Sequence, residues 1–461
     1  MYDAAGHILR MGDGGRRDVT RQSPTVASVA AFSPNTFPKD VAVAPDGTLY
    51  VTIENRIMRI KPDGSTQIIA GTASSGCGAD DSSNASAIAL NLPWGIDIGP
   101  DGAIYIADGQ NHKVRKIIPG ESQSSITTIV GRGSCTGGFA GDGGQAGDGR
   151  LSQPRELALG PDGSIYIVDS LNLRIRRVSP DNIIRTVAGN GVEGEPQAGG
   201  LATASRLPGF FGVVSIDVSP HGEVHFVTNR GGAGAIGDAR ILKIDSSGVL
   251  RTVAGTPGDA CADPCNRPDG VLATQTPLLF PTSLSIGPDG SMYLTEKNTA
   301  NGGVAFVSRI GPDGRIGRLA GQLQAGFGGG DGGPARLATF ADLRGTDPGP
   351  DGSLFVADGG SNGVRKVIQA AQGLSSLGYK VASEDGREVY EFGPNGQHER
   401  TRDALTNGII FEFGYDPHDR LASITDGGGK VTTIEGPRSF RTIPRVSLAV
   451  QSGPVGREDV P

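Results

Sequence analysis

Six short segments of the sequence combine aromatic, basic and acidic side chains and recur along the chain. Each lies directly before an apolar run, at 37–40, 93–94, 154–156, 210–211, 280–282 and 340–342. Aromatic, arginine and carboxylate groups around one opening could bind a peptide or a sugar. The candidate ligand-binding residues are therefore Lys39, Asp40, Trp94, Arg155, Glu156, Phe210 and Asp342. A structural interpretation stays open, in which Trp94 and the phenylalanines fill gaps between repeated units.

Carboxylates and histidines raise the question of a metal-dependent enzyme. Asp40, Glu156, Asp217 and Asp342 could supply oxygen ligands to calcium if they converged, but this ion needs six or more oxygens. The six histidines are too scattered among repeat positions to favour a three-histidine zinc site. No Ser-His-Asp or Cys-His arrangement is evident. We assign no catalytic residue, no metal ligand and no cofactor, and keep a metal-dependent hydrolase or lyase as the alternative function.

The four cysteines all fall in loops. Cys77 and Cys135 occupy equivalent loops of successive repeats, whereas Cys261 and Cys265 share one loop. An even number of loop cysteines favours disulfides and an oxidising compartment. A zinc half-site or free thiols are the alternatives for these side chains. A bond between Cys77 and Cys135 is a hypothesis that follows from their equivalent positions.

A repeated turn sequence predicts the strands that must position these residues. Pro-Asp-Gly occurs five times and Pro-His-Gly once, with the glycine at Gly47, Gly102, Gly163, Gly222, Gly290 and Gly352. An alternating apolar run follows each turn, as expected for the second strand of a hairpin. Strand-length pieces that recur at intervals of 55 to 68 residues indicate a repeat architecture, most simply a propeller.

The second repeat shows how one unit is built. Its strands are predicted at 95–98, 103–107, 112–117 and 126–130, joined by short turns. Six such units predict a six-bladed β-propeller, so the fold class is all-β. Residues 7–12 resemble an unpaired fourth strand, and we expect them to complete the last unit and close the ring.

Long glycine-rich loops between units predict where binding occurs. They span 71–91, 131–153, 189–207, 255–280 and 321–339, and they share one face of a propeller. Long loops on a rigid scaffold usually carry the function of such a protein. This loop-rich face, together with the mouth of the central channel, is therefore the predicted binding surface.

Two motifs allow a resemblance to be stated. Asp108, Asn111 and His112, preceded by an apolar strand, resemble an NHL repeat, and this similarity extends over roughly residues 1–370. Tyr415 and Asp416, followed by an Arg-Leu-x-x-Ile-Thr-Asp sequence, resemble the RHS or YD repeat, which builds β-ribbon shells. Together they resemble teneurins and teneurin-like bacterial RHS proteins. The resemblance implies a fragment of a surface or secreted polypeptide, with the RHS shell of a longer chain as partner.

Composition and boundaries complete the prediction. We expect the propeller at 1–370, a linker at 371–378, partial YD repeats at 379–436 and a flexible tail at 437–461. A net charge of −7 argues against nucleic acid as a partner, and no apolar run is long enough to span a membrane. The predicted function is a non-catalytic recognition scaffold that binds protein or glycan, outside the cell or on its surface. A ligand-free structural spacer is a further possibility.

Overall fold

The structure is a computed structural model of the 461-residue chain. It describes residues 24–33, 36–209, 212–229, 239–256, 268–298, 304–323, 328–368, 379–382, 387–392, 398–403, 405–406, 408–415 and 421–434. The chain divides into two compact units, the first including Arg17–Tyr379 and the second including Lys380–Gly393 and Gln397–Pro461. The linker predicted at 371–378 and the tail predicted at 437–461 lie outside the described residues.

The described residues of the first unit form six antiparallel sheets. The first three are β2 (Pro38–Val43), β3 (Leu49–Ile53), β4 (Arg56–Ile60) and β5 (Thr66–Ala70); β6 (Pro93–Ile98), β7 (Ile104–Asp108), β8 (Lys113–Ile118) and β9 (Ser125–Val130); and β10 (Pro154–Leu159), β11 (Ile165–Asp169), β12 (Arg174–Val178) and β13 (Ile184–Ala188). The next two are β14 (Val213–Val218), β15 (Val224–Thr228), β16 (Arg240–Ile244) and β17 (Leu250–Ala254); and β19 (Pro281–Ile286), β20 (Met292–Asn298), β21 (Val304–Ile310) and β22 (Arg315–Ala320), to which β18 (Val271–Leu272) adds a short edge. The sixth contains β23 (Leu343–Pro348), β24 (Leu354–Asp358), β25 (Gly363–Ile368) and, from the start of the chain, β1 (Thr25–Ala31).

The sheets follow one another in a closed cycle. Six clusters of buried apolar residues each join two consecutive sheets, and the cluster around Val41 and Phe355 joins the sixth sheet back to the first. The first strand of each sheet contacts the first strands of both neighbouring sheets. Both faces of a sheet are therefore covered by its neighbours, and second strands such as β3 and β7 are buried along their whole length. We call the six first strands, β2, β6, β10, β14, β19 and β23, the inner ring.

The strand that completes the sixth sheet is β1, which pairs antiparallel with β25 and places Val26 opposite Val367. Val26 is fully buried in the cluster between the fifth and sixth sheets. The sequence favoured residues 7–12 for this position, and those residues lie outside the described part of the chain. β1 thus supplies a fourth strand to the sixth sheet, and Val26 is the only one of its seven residues that is buried.

The repeated turns have a common structure. The glycine of each turn adopts a positive φ, between 73° and 83°. In five of the six turns the preceding aspartate accepts a hydrogen bond from the backbone N–H two residues later, as Asp46 does from Thr48. Aspartate and glycine therefore stabilise a tight turn between the first and second strands. Only short connections lie on this side of the ring as a result.

The long loops between sheets are attached to the scaffold at several points. Five of them contain a 3-10 turn of three residues whose first member is a fully buried alanine, at Ala85–Ala87, Ala146–Asp148, Ala202–Ala204, Ala273–Gln275 and Ala335–Leu337. Three more 3-10 turns follow a second strand, at Gly109–Asn111, Ser170–Asn172 and Gly359–Ser361. A disulfide joins Cys77 to Cys135 and thus links two consecutive long loops. Cys261 and Cys265 lie outside the described residues.

The second unit contains one sheet of six strands in chain order. They are β26 (Tyr379–Ala382), β27 (Glu388–Phe392), β28 (His398–Asp403), β29 (Ile409–Tyr415), β30 (Leu421–Asp426) and β31 (Val431–Thr433). His398 is fully buried in this sheet, with its ring 4.2 Å from that of Phe413 and 5.6 Å from that of Tyr390. In the part of the chain that the structure describes, no helix is long and apolar enough to cross a membrane.

Candidate functional site

A cavity of about 300 Å³ opens at one end of the inner ring. The second residue of each inner-ring strand faces this cavity, and five of these six residues have polar or aromatic side chains. We call it the mouth cavity, and it is lined by Lys39, Trp94, Arg155, Glu156, Val214, Phe280, Thr282, Ser283, Lys297, Arg344 and Gly345. Since consecutive sheets are rotated about one axis, equivalent positions far apart in sequence converge here.

Trp94 forms one wall of the mouth cavity between two cations. The Nζ atom of Lys39 lies 5.3 Å from the centre of the indole ring, and the guanidinium carbon of Arg155 lies 5.0 Å from it. Both distances allow a cation–π interaction. Trp94 is half-buried, so the indole is held in place by charged neighbours and is not packed away between sheets. The gap-filling role applies instead to Phe340, which is 1% exposed.

Asp342 holds two further cations at the cavity. Its carboxylate accepts hydrogen bonds from Nζ of Lys297 at 2.9 Å and from Nε of Arg344 at 2.8 Å. Burial opposes ionisation, but these two cations keep the pKa of Asp342 below its ordinary value. Neither Lys297 nor Arg344 was selected from the sequence. Arg344 follows Asp342 by two residues and could have been found by aligning inner-ring positions, whereas Lys297 lies on β20 and carries no such signal.

Asp40 and Glu156 face the interior of the ring near the same cavity. Burial, followed by repulsion from Asp97, raises the pKa of Asp40 to about 7 despite hydrogen bonds from the Ile96 and Val41 N–H groups. Burial and repulsion from Asp40 raise the pKa of Glu156 well above its ordinary value. Each approaches a glycine of a neighbouring inner-ring strand so closely that a side chain there would collide with it, Asp40 with Gly345 and Glu156 with Gly95.

Carboxylates deeper in the ring connect neighbouring sheets. Asp97, Asp217 and Asp347 occupy the same position on alternate inner-ring strands, and each accepts a hydrogen bond from an N–H group of the next sheet, at 2.6 to 2.7 Å. Asp40 does the same for Ile96 at 2.9 Å. The oxygens that calcium would require at Asp40 and Asp217 are thus engaged by the backbone. Among the described residues, no group of three or more His, Cys, Asp or Glu side chains is arranged to hold a metal ion.

The structure brings together most, but not all, of the residues that the sequence selected. Lys39, Trp94, Arg155 and Glu156 line the mouth cavity, and Asp342 orients two of its cations. Asp40 does not line the cavity but lies beside Gly345, which does. Phe210 lies outside the described residues.

A second cavity, of about 400 Å³, lies in the long loop between β13 and β14. Its lining includes Glu195 and Arg206, and Glu195 forms a salt bridge of 3.0 Å with Arg240. Because all of its lining residues come from one loop, no groups from different sheets converge on it. The mouth cavity is the better candidate, since its walls come from all six sheets of the ring.

Each of the two units contains a segment that matches a known protein family. Residues 376–443 match the family described as Teneurin YD-shell, and residues 90–117 match the NHL repeat family. The NHL match covers the second sheet from its long-loop end to β8. A structural genomics protein of unknown function from Bacteroides thetaiotaomicron superposes with a TM-score of 0.52 at 13% identity, covering 75% of this chain and 76% of that protein. A likeness at this identity shows the fold alone.

Similarity to complete proteins extends across both units. Teneurin-m of Drosophila melanogaster is 28% identical over 92% of this chain, and mouse Teneurin-3 is 25% identical over 94% of it. The chain spans 15% and 17% of the length of these two relatives. Over more than nine tenths of its length the chain is thus similar to teneurins, and it combines an NHL repeat with a teneurin-type YD-shell segment.

Proposed function

We propose that the first unit is a six-bladed NHL-type β-propeller and that the second unit is a YD-repeat β-ribbon. The cyclic order of six sheets and the pairing of β1 with β25 support the first assignment. The Teneurin YD-shell match over residues 376–443 supports the second. The chain would then form part of a teneurin-like RHS protein that is secreted or displayed at the cell surface, and the disulfide between long loops suits such an oxidising environment.

Within that protein, the propeller acts as a non-catalytic recognition module that binds protein or glycan through its loop-rich face. The observation that carries this proposal is the mouth cavity, which has a volume of about 300 Å³. Trp94 and residues from all six sheets of the ring form its walls. Concave sites with aromatic walls and a few oriented polar groups are typical of ligand binding. The carboxylates nearby connect sheets through backbone N–H groups, which gives them a structural role.

Binding of the 461-residue protein to an array of glycans and cell-surface ectodomains tests this function. The cavity variant Trp94→Ala should lose the signals that the unmodified protein gives, because it removes an aromatic wall that ligands contact. Ile118→Ala, which removes an exposed apolar side chain at the Pro-Asp-Gly turn end of the second sheet, away from the long loops, is the control and should retain them. Signals that persist unchanged in Trp94→Ala, with an unchanged melting temperature, would contradict the assignment of the mouth cavity.

A further inference from the structure

The mouth cavity carries a local excess of positive charge in an acidic protein. Four cationic side chains line it, Lys39, Arg155, Lys297 and Arg344, whereas Glu156 is its one lining carboxyl group among the described residues. The chain as a whole has a net charge of −7. Asp342 is shared between Lys297 and Arg344 and so compensates only part of their charge. A concentration of cations that opposes the net charge of the protein favours an anionic ligand.

The behaviour of two titrating groups agrees with this charge distribution. Burial, and then repulsion by Arg344, lowers the pKa of Lys39 to about 8, and Glu54 opposes this only weakly. The hydrogen-bond acceptors of Lys39 are the backbone carbonyl oxygens of Glu54 and Pro93, at 2.9 and 3.3 Å. Burial, followed by repulsion from Asp40, raises the pKa of Glu156 well above its ordinary value, so the carboxylate form of this group is disfavoured.

The shape of the cavity distinguishes between kinds of anion. A volume of about 300 Å³ lies at the low end of ligand pockets, which suits one ring-sized group and is too small for a folded partner. The carboxylate of an aspartate or glutamate side chain would fill little of it. A pyranose ring, in contrast, offers an apolar C–H face to Trp94 and Phe280 and hydroxyl groups to the polar wall. Arginine donates charge-assisted hydrogen bonds to carboxylates, which are stronger than bonds between neutral groups.

We propose that the mouth cavity binds a sugar that carries a carboxylate group, with Trp94 against the ring and Arg344 and Lys39 directed at the carboxylate. This inference rests on the proposed assignment of the mouth cavity as the ligand site. It adds the chemical class of the ligand, an acidic glycan unit. Lysines and arginines that already hold Asp342 and backbone carbonyls supply a fixed frame, so the ligand need not order them on binding.

Calorimetric titration of the 461-residue protein with matched probes tests the proposal. The probes are oligosaccharides that contain galacturonate, glucuronate, mannuronate or sialic acid, the neutral methyl ester of each, and triglutamate peptide. We expect at least one acidic sugar to bind and its methyl ester to bind at least about 10-fold more weakly, since a charge-assisted hydrogen bond contributes more than 1 kcal/mol. Arg344→Gln should weaken binding of that acid by a similar factor.

The remaining outcomes separate this inference from the proposed function. Equal binding of acid and ester would overturn the charge requirement and leave the cavity as a ligand site. Binding of triglutamate alone would overturn the sugar. Binding of no probe would overturn the inference, whereas the array experiment with Trp94→Ala decides the function independently. Arg251→Gln, which changes an arginine on β17, is the control for Arg344→Gln, and Lys39→Gln repeats the test if Arg344→Gln lowers the melting temperature.

Discussion

At the scale of single residues, Arg115 shows how a repeat position combines charge and structure. Its side chain and that of Asp108 are both fully buried and 2.8 Å apart. Arg115 also donates to the backbone carbonyl of Ala79 and to Thr128, which ties the long loop before the second sheet to the sheet itself. Arg176 and Arg365 repeat this arrangement in the third and sixth sheets. The sequence identified Asp108 only as part of an NHL-like motif, because burial of its arginine partner depends on packing across sheets that a single strand does not reveal.

Replacing Arg115 with methionine should destabilise the first unit by about 3 kcal/mol or more, because Asp108 would stay buried without its cation. Lys116→Met is the matched control at the next residue. Its salt bridge to Asp101 is half-exposed and should contribute less than about 1 kcal/mol. Urea denaturation of both variants measures the two free energies of unfolding. Equal losses would show that burial of the pair does not determine its contribution.

Lys39 makes a second prediction at this scale, about the pH dependence of ligand binding. With a pKa near 8, Lys39 loses its charge as the pH rises from 7 to 9. Arg344 and Glu54 are the charged groups that act on Lys39 in the folded protein. Affinity for an acidic sugar should therefore fall over this range. Lys39→Arg, whose charge persists, should flatten the profile; calorimetry at pH 7 and 9 would contradict the role of Lys39 if both proteins lost affinity equally.

At the scale of elements, the strands could be predicted closely and the 3-10 turns could not. Predicted strands at 103–107 and 126–130 correspond to Ile104–Asp108 and Ser125–Val130. Pro-Asp-Gly turns and alternating apolar residues are local signals, so the strands that they predict do not depend on contacts between distant residues. In four of the five long-loop turns, the carbonyl of a buried alanine accepts the N–H of the glycine after the preceding strand, as Ala202 does from Gly189. Such contacts are non-local and leave little pattern in the sequence.

The closing strand β1 makes a prediction about an element. Val26 and Val29 are both valines of this strand, but Val26 is fully buried and Val29 is 36% exposed. Val26→Asp should therefore detach β1, lower the melting temperature strongly and expose the edge of β25 to aggregation. Val29→Asp should change the melting temperature little. Thermal unfolding with light scattering compares the two, and a stable, soluble Val26→Asp protein would show that β1 is not needed to close the ring.

At the scale of the whole molecule, the inner ring concentrates carboxyl groups that no stretch of sequence places together. Burial raises the pKa of Asp97 to about 6, and burial followed by repulsion from Asp97 raises that of Asp217 to about 8. Their residue types were visible, and Asp217 was selected as a possible calcium ligand. Their shared position and their bonds to the next sheet follow only from the cyclic order of the sheets. The mouth cavity also follows from the cyclic order of the sheets. Several of its residues could be selected from repeated sequence positions, but Lys297, which lies on a second strand, could not.

The raised pKa values predict how stability changes with pH. An aspartate whose pKa is higher in the folded than in the unfolded state binds its proton more tightly when folded, so its contribution to stability falls as the pH rises from about 4 to 8. Asp217→Asn cannot ionise. Its melting temperature relative to the unmodified protein should therefore rise by about 2 °C between pH 5 and pH 8.5. Buried histidines act in the opposite direction but cancel in this difference.

The exposed Asp181→Asn change is the control, and its difference from the unmodified protein should stay constant with pH. Calorimetric melting at pH 5, 7 and 8.5 provides the comparison. If the Asp217→Asn and unmodified curves stayed parallel, the Asp217 carboxyl group would have an ordinary pKa in the folded protein.

The sole tryptophan of the chain provides the most direct test of the central claim, that the mouth cavity is the ligand site. Trp94 fluorescence should be followed while the acidic oligosaccharides are added to the 461-residue protein. We predict a saturable change in emission whose midpoint matches the calorimetric dissociation constant and which Arg344→Gln displaces to higher concentration. Heat of binding without any change in Trp94 emission would place the ligand elsewhere and contradict the account.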